Sequence, residues 1–255
     1  MRLDRIRFLL PTLFLAALLA CEARDPPSQD REMTADTFSF LALGDSYTIG
    51  ERVDSTLRWP VQLARRLRDE GVPVADPLII ARTGWTTDEL DAGIDARIDA
   101  GVDAGVDAGV DGLAPLGPYS LVSLLIGVNN QYRGRDLEEY RVQFRELLDR
   151  AIGFAGGDAD RVLVLSIPDW GVMPFAQGRV REAIAGEIDA FNAANRDACL
   201  ARGVHWVDVT GISREAASDP GLVAEDGLHP SGAQYSRWVE AALPVAKAIL
   251  AIPDG

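Results

Sequence analysis

The sequence predicts a doubly wound α/β fold, a parallel sheet with helices on both faces. Three observations carry that expectation. Five apolar runs rich in Val, Leu and Ile are spread along the chain, and their unbroken character suits strands covered on both sides. Between them lie segments with three- and four-residue apolar spacing, which read as amphipathic helices. Residues 37–255 are enough for one α/β domain with one continuous core. Strands and helices in alternation imply three layers, with the sheet in the middle.

The first 36 residues are expected to lie outside that body. Arg2, Arg5 and Arg7 precede Phe8–Ala20, which is apolar except for Thr12. That run is too short to span a bilayer as a helix and has the layout of a secretory signal, so residues 1–20 read as a signal peptide. Leu18-Leu19-Ala20-Cys21 resembles a bacterial lipobox, which implies cleavage before Cys21 and lipidation of that cysteine. Glu22 follows it rather than an aspartate, which favours the outer membrane facing the periplasm. Residues 21–36, with Pro26, Pro27, Ser28 and many charges, read as a lipidated tether. A lipidated Cys21 leaves Cys199 without a disulfide partner.

The body then runs in order. The first strand is expected at Phe38–Leu43 and leads into Gly44-Asp45-Ser46-Tyr47. A serine where a strand meets a turn is a candidate nucleophile, because the turn lifts its hydroxyl out of the sheet. Trp59-Pro60 opens a short helix, with proline suited to the first helical position. The second strand, Pro77–Ala81, leads into Arg82-Thr83-Gly84-Trp85-Thr86, where glycine permits a tight turn and an exposed N–H. A helix is expected from Thr86 or Thr87 to about Ile98.

That helix enters a low-complexity segment, Asp91–Gly112, with a four-residue period of the form Asp-Ala-Gly-Val. The period is far below any solenoid repeat. Its glycines and like-charged aspartates weaken a helix, so order is expected to fade beyond Ile98. It also lacks the spacing of a calcium loop. The third strand, Leu121–Ile126, ends in Gly127-Val128-Asn129-Asn130, and Leu137, Tyr140, Phe144, Leu147, Leu148 and Ala151 mark the helix after it.

The fourth strand, Val162–Ile167, is followed by the loop Pro168–Phe175, and Ile184, Ile188, Phe191, Asn195 and Ala198 mark the next helix. Cys199 sits on that helix as a small packed residue. The fifth strand, Val204–Val209, holds His205, which reads as structural. Asp226-Gly227-Leu228-His229 precedes Pro230-Ser231-Gly232, a helix-opening signal. The last helix carries Tyr235, Trp238, Val239, Ala242 and Ala246, and Pro244 is expected to kink it.

A nucleophilic Ser46 needs a base and an oxyanion site. His229 supplies the base, and Asp226, three residues earlier on the same loop, can hold one ring nitrogen while the other faces the serine. Oxyanion donors are expected from the Ser46 N–H, the Gly84 N–H and the Asn129 side-chain amide. All three follow C-terminal strand ends, where doubly wound sheets place their ligands. Trp85, Trp170 and Phe175 are expected to wall an acyl or sugar pocket, and Tyr132 and Arg133, after Asn130, are secondary candidates for it. The net charge of −14 argues against nucleic acid as a partner. Neither G-x-G-x-x-G nor a P-loop lysine stands at Gly44–Gly50, which argues against a nucleotide-binding module.

Ser46 in a first block, Gly84 in a second, Asn129 in a third and Asp226 with His229 in a last resemble the SGNH hydrolases, the GDSL esterase/lipase family, over the whole body from Thr37 to Ile252. The resemblance implies a flavodoxin-like α/β/α sandwich on a five-stranded parallel sheet. It also implies ester hydrolysis through an acyl-serine, without metal or other cofactor. One departure is Asn130, where the family usually has aspartate. The substrate is left open between a lysophospholipid or simple ester and an acylated carbohydrate or peptidoglycan. An inert binding lipoprotein on the same fold is the rival from another class. Oligomeric state is not legible.

Overall fold

The computed structural model of the chain describes residues 37–99 and 117–251. The segments expected to be a signal and a tether with Cys21, and most of the Asp-Ala-Gly-Val repeat, therefore lie outside the described residues. Within them are a five-stranded parallel sheet and helices on both of its faces. The strands are β1 (Phe40–Gly44), β2 (Leu78–Ala81), β3 (Leu121–Leu125), β4 (Val162–Leu165) and β5 (His205–Val207), in the spatial order β2-β1-β3-β4-β5. This is the expected flavodoxin-like order, and its topological switch lies between β1 and β3. Every residue of β1, β3 and β4 is buried, as the unbroken apolar runs require.

The helices are α1 (Ser46–Ile49), α2 (Trp59–Asp69), α3 (Thr87–Asp99), α4 (Val128–Tyr132), α5 (Leu137–Phe154), α6 (Arg181–Arg202), α7 (Thr210–Arg214) and α8 (Gly232–Leu250). Local chemistry fixes their ends. Pro60 starts α2, whose Trp59, Leu63, Ala64 and Leu67 are fully buried. Asp136 caps α5 by accepting from the N–H groups of Glu138 and Glu139 at 2.8 and 3.0 Å, and those two acids sit at the positive end of the helix dipole. Ser231 caps α8, which continues through Pro244. The pairs α2 with α8 and α5 with α6 pack against each other. Cys199 is buried on α6, and burial pushes its thiol up to about 12, which leaves it protonated and inert.

Register is what positions the site. Gly44 of β1 pairs with Ala81 of β2 on one side and Leu125 of β3 on the other. The three strands thus end level, and the loops holding Ser46, Gly84 and Asn129 leave the sheet side by side at its C-terminal edge.

Candidate active site

The β1 exit is tight. A Cβ at Gly44 would stand 2.2 Å from Thr48 Oγ1 and 2.5 Å from the Leu125 carbonyl oxygen, so only glycine lets α1 fold back over the neck between β1 and β3. Asp45 is the N-cap: its side chain accepts from the Tyr47 N–H at 3.0 Å, and its carbonyl accepts from Thr48 and Ile49. These bonds use the N–H groups that follow Ser46 and leave the Ser46 N–H uncommitted among the described residues. Ser46 is 5% exposed, and it lines a pocket of about 170 Å³.

Asp45 itself is fully buried, and its Oδ2 has no hydrogen-bond partner among the described residues. Burial pushes its carboxyl from 3.8 up to about 7, against the smaller opposing effect of the Tyr47 N–H. Because the folded state holds the proton more tightly than the unfolded chain, this group favours folding fully at low pH. The benefit is lost as pH rises from about 4 to about 7. Asp45→Asn keeps the cap and cannot ionise. The variant is expected to gain stability relative to wild type across that window, reaching about 4 kcal/mol above it. Denaturant unfolding at pH values spanning the window checks this; a stability difference independent of pH contradicts it.

The candidate base comes from the loop before α8. Asp226 Oδ1 accepts from the N–H groups of Leu228 and His229, both at 3.0 Å, so the loop closes on its own carboxylate. Oδ2 lies 2.6 Å from His229 Nδ1. That contact assigns the ring proton to Nδ1 and leaves Nε2 as the acceptor. Partial burial pushes the Asp226 carboxyl up, but the His229 ring and the two backbone donors outweigh it and hold it below the usual carboxylate range. The loop is tied down by the Ala224 N–H on the His229 carbonyl (2.8 Å) and the Phe175 N–H on the Gly227 carbonyl (2.9 Å). The Tyr47 ring meets the imidazole edge-on at 5.8 Å. His229 is 7% exposed and lines the same pocket as Ser46.

Gly84 sits in a turn closed by the Trp85 N–H on the Arg82 carbonyl, with φ of 87°, a conformation that favours glycine. Two side chains pin this turn. Arg133 donates to the Gly84 carbonyl at 2.6 Å and to Glu89, and the Asn129 amide donates to the Trp85 carbonyl at 2.9 Å. One N–H of the Asn129 amide is thereby used and the other remains for a ligand. Gly84 and Asn129 both line the pocket. Asn130 is fully buried: it accepts from the Thr87 N–H at 3.1 Å and donates to the Thr87 hydroxyl at 2.7 Å, while that hydroxyl donates to Gln143. An amide fits this donor-and-acceptor pattern, so the residue at the departure from the family pattern ties α4 to the start of α3.

Trp170 and Phe175 line the pocket, and so does Tyr132. Their rings form one aromatic wall, with centroids 5.2 Å apart for Tyr132 and Trp170 and 6.2 Å for Trp170 and Phe175. Trp170 is held by its indole N–H on Gln131 (2.7 Å), and Gln131 in turn donates to Glu187 (2.6 Å). Trp85 is a correction to the expected wall. It is absent from the pocket lining, and its indole packs where α3 carries no side chain, since a Cβ at Gly93 would stand 2.2 Å from the ring. Sequence reasoning missed Tyr47, Thr83, Val128 and Leu228 in the lining. Each is the immediate neighbour of a motif residue, which is the signal that could have found them. Arg133 supports the Gly84 turn rather than the pocket wall. His205 is half-buried on β5, outside the pocket lining. Among the described residues no three His, Cys, Asp or Glu side chains are grouped to hold a metal ion.

Acyl transfer to water needs a nucleophile, a base held in one tautomer and donors for an oxyanion. Groups able to supply each of these meet at one sheet edge, which places the chain in the class of acyl hydrolases built on a doubly wound sheet. The family model described as GDSL-like Lipase/Acylhydrolase family matches residues 42–237, and the chain belongs to that family. A comparison with curated protein sequences gives no match.

Among solved structures, the chain is similar to TesA, with 20% identity, TM-score 0.60, and coverage of 83% of this chain and 99% of that one. It is similar to the psychrotrophic esterase EstA from Pseudoalteromonas sp., at 14% identity and TM-score 0.59, covering 83% and 98%. It is also similar to an acetyl xylan esterase from Geobacillus stearothermophilus, at 18% identity and TM-score 0.57, covering 82% and 94%. At these identities the likeness is one of fold.

Proposed function

We propose that this hydrolase cleaves carboxylic esters through an acyl-serine formed on Ser46. His229 Nε2 takes the Ser46 proton as Oγ attacks the carbonyl carbon, and the carbonyl electron pair moves to oxygen. The Ser46 N–H, the Gly84 N–H and the free N–H of Asn129 stabilise that oxyanion. Collapse expels the alcohol, which receives the proton from His229. Water then repeats the sequence on the acyl-serine, releasing the acid and restoring Ser46. Asp226 keeps the Nδ1 tautomer and stabilises the imidazolium that forms in each half.

The observation that carries this reading is the 2.6 Å contact of Asp226 with His229 Nδ1, at a histidine that shares its pocket with Ser46, Gly84 and Asn129. Val128, Leu228 and the wall of Tyr132, Trp170 and Phe175 give that pocket an apolar lining suited to an acyl chain. Two of the structural relatives are called esterases, and EstA is described as inhibited by monoethylphosphonate. We propose further that the enzyme works in the cell envelope, anchored through Cys21. Among the described residues no helix is long and apolar enough to cross a membrane.

The test is hydrolysis of a nitrophenyl ester by the purified protein, followed by treatment with a monoethylphosphonate ester and peptide mass analysis. The expected outcome is hydrolysis that stops in step with one adduct on Ser46. Full activity after Ser46 is modified, or inactivation with the adduct elsewhere, overturns the mechanism.

A further inference from the structure

We infer that the pocket selects esters carrying a negatively charged group, a carboxylate or a phosphate, and that Arg179 is the residue that selects them. The inference rests on the ester-hydrolase reading above. Arg179 follows the pocket loop, its N–H bonded to the Ala176 carbonyl at 2.9 Å. Its guanidinium carbon lies 5.3 Å from the Tyr132 ring centroid and 5.2 Å from that of Trp170, within cation–π range of two rings that line the pocket. Trp170 is fixed from behind through Gln131 and Glu187, so the guanidinium rests on a wall that is already ordered.

Three other arginines are committed to carboxylates, whereas Arg196 stacks on Trp206 at 5.4 Å much as Arg179 does on its two rings. Arg133 is tied to Glu89 at 3.1 Å, Arg52 to Glu51 at 3.5 Å, and Arg214 to Asp169 and Asp189 at 2.8 Å. Arg179 has no carboxylate within ion-pairing distance among the described residues, although acids outnumber bases in this chain by 39 to 25. A guanidinium stacked on aromatic faces keeps its N–H edges for an incoming anion, and its planar fork matches a carboxylate or phosphate with two parallel hydrogen bonds. Arg179 is exposed and outside the pocket lining itself, but the rings beneath it wall that pocket, so an anion it holds can belong to a molecule whose ester lies there. The plainer role for such an arginine is to pin the loop to the body, and the two roles predict different kinetics.

The experiment measures kcat and KM for two matched pairs on the full-length protein. The first pair, nitrophenyl pentanoate and mono-nitrophenyl glutarate, puts the charge on the acyl side. The second, a monoacylglycerol and the corresponding monoacylglycerol phosphate, puts it on the leaving alcohol. Arg179→Gln is expected to lower the charged-to-neutral ratio of kcat/KM about ten-fold in one pair, through KM, and that pair identifies which side carries the anion. Arg179→Lys, which keeps the charge without the planar fork, is expected to restore part of the ratio. In wild type, but not in Arg179→Gln, the ratio should fall as salt is raised. A ratio unchanged by Arg179→Gln in both pairs overturns the inference and leaves ester hydrolysis standing, with Arg179 as a loop pin. Failure of wild type to cleave any of the four esters overturns the ester-hydrolase reading and this inference with it.

Discussion

Ser46→Ala is expected to lower ester turnover by about 10⁴-fold or more while leaving the fold intact. In the proposed mechanism the hydroxyl forms the acyl bond, and without it direct attack by water is the route left. Its loss removes little from the structure. The cap on α1 belongs to Asp45, through the Tyr47, Thr48 and Ile49 N–H groups, and the Ser46 N–H remains in place. The unfolding free energy is therefore expected to stay within about 1 kcal/mol of wild type, the net worth of one ordinary hydrogen bond. Residual activity should come from the Gly84 and Asn129 donors, which still polarise a bound carbonyl. The measurement is kcat on a nitrophenyl ester together with a thermal unfolding curve. A rate within ten-fold of wild type in a folded variant would remove Ser46 from the chemistry.

Much of this arrangement is legible in the sequence. The five apolar runs became five strands, although each strand is shorter than its run. Ile167 shows why: its N–H and carbonyl are both bonded to the Asn192 side chain of α6, so a residue with strand composition leaves the ladder for a side-chain partner. Phe38 likewise keeps only an isolated bridge to Val74. The order of Ser46, Gly84, Asn129, Asp226 and His229 was readable because each follows a recognisable strand end or precedes a helix signal.

Their convergence was not readable. It depends on register, which brings Gly44 opposite both Ala81 and Leu125. Sequence also names a side chain without giving its direction. Trp85 stands next to Gly84 yet turns into the space left by Gly93, whereas Tyr132, three residues past Asn129, joins the wall beside Trp170. Asp45 is a third case. Its identity marks a helix cap, but only the packed structure shows that the cap is buried deeply enough to move its carboxyl toward neutrality.

Asp226→Asn is expected to cost a comparable amount, about 10⁴-fold in kcat, without unfolding the loop. The carboxylate does two jobs with its two oxygens. Oδ1 closes the loop on the Leu228 and His229 N–H groups, and Oδ2 holds His229 Nδ1. An asparagine can keep its one oxygen on the two backbone donors, which preserves the loop. Its NH₂ then faces Nδ1 as a donor, so the ring proton moves to Nε2, and the nitrogen needed to accept the Ser46 proton becomes a donor itself. The imidazolium formed during attack also loses its counter-charge. The pH behaviour follows with a definite sign. The Asp226 carboxyl lies below the usual carboxylate range, so in wild type its contribution is in place above that range and is lost only as pH falls through its depressed value. Raising the pH should therefore not rescue the asparagine variant, because the defect is a fixed tautomer and not a proton that can be removed. Steady-state rates of both proteins from mildly acidic to mildly alkaline pH check this. Recovery of wild-type kcat by the variant at high pH would show that Asp226 acts only by setting charge, and that its hold on the ring is dispensable.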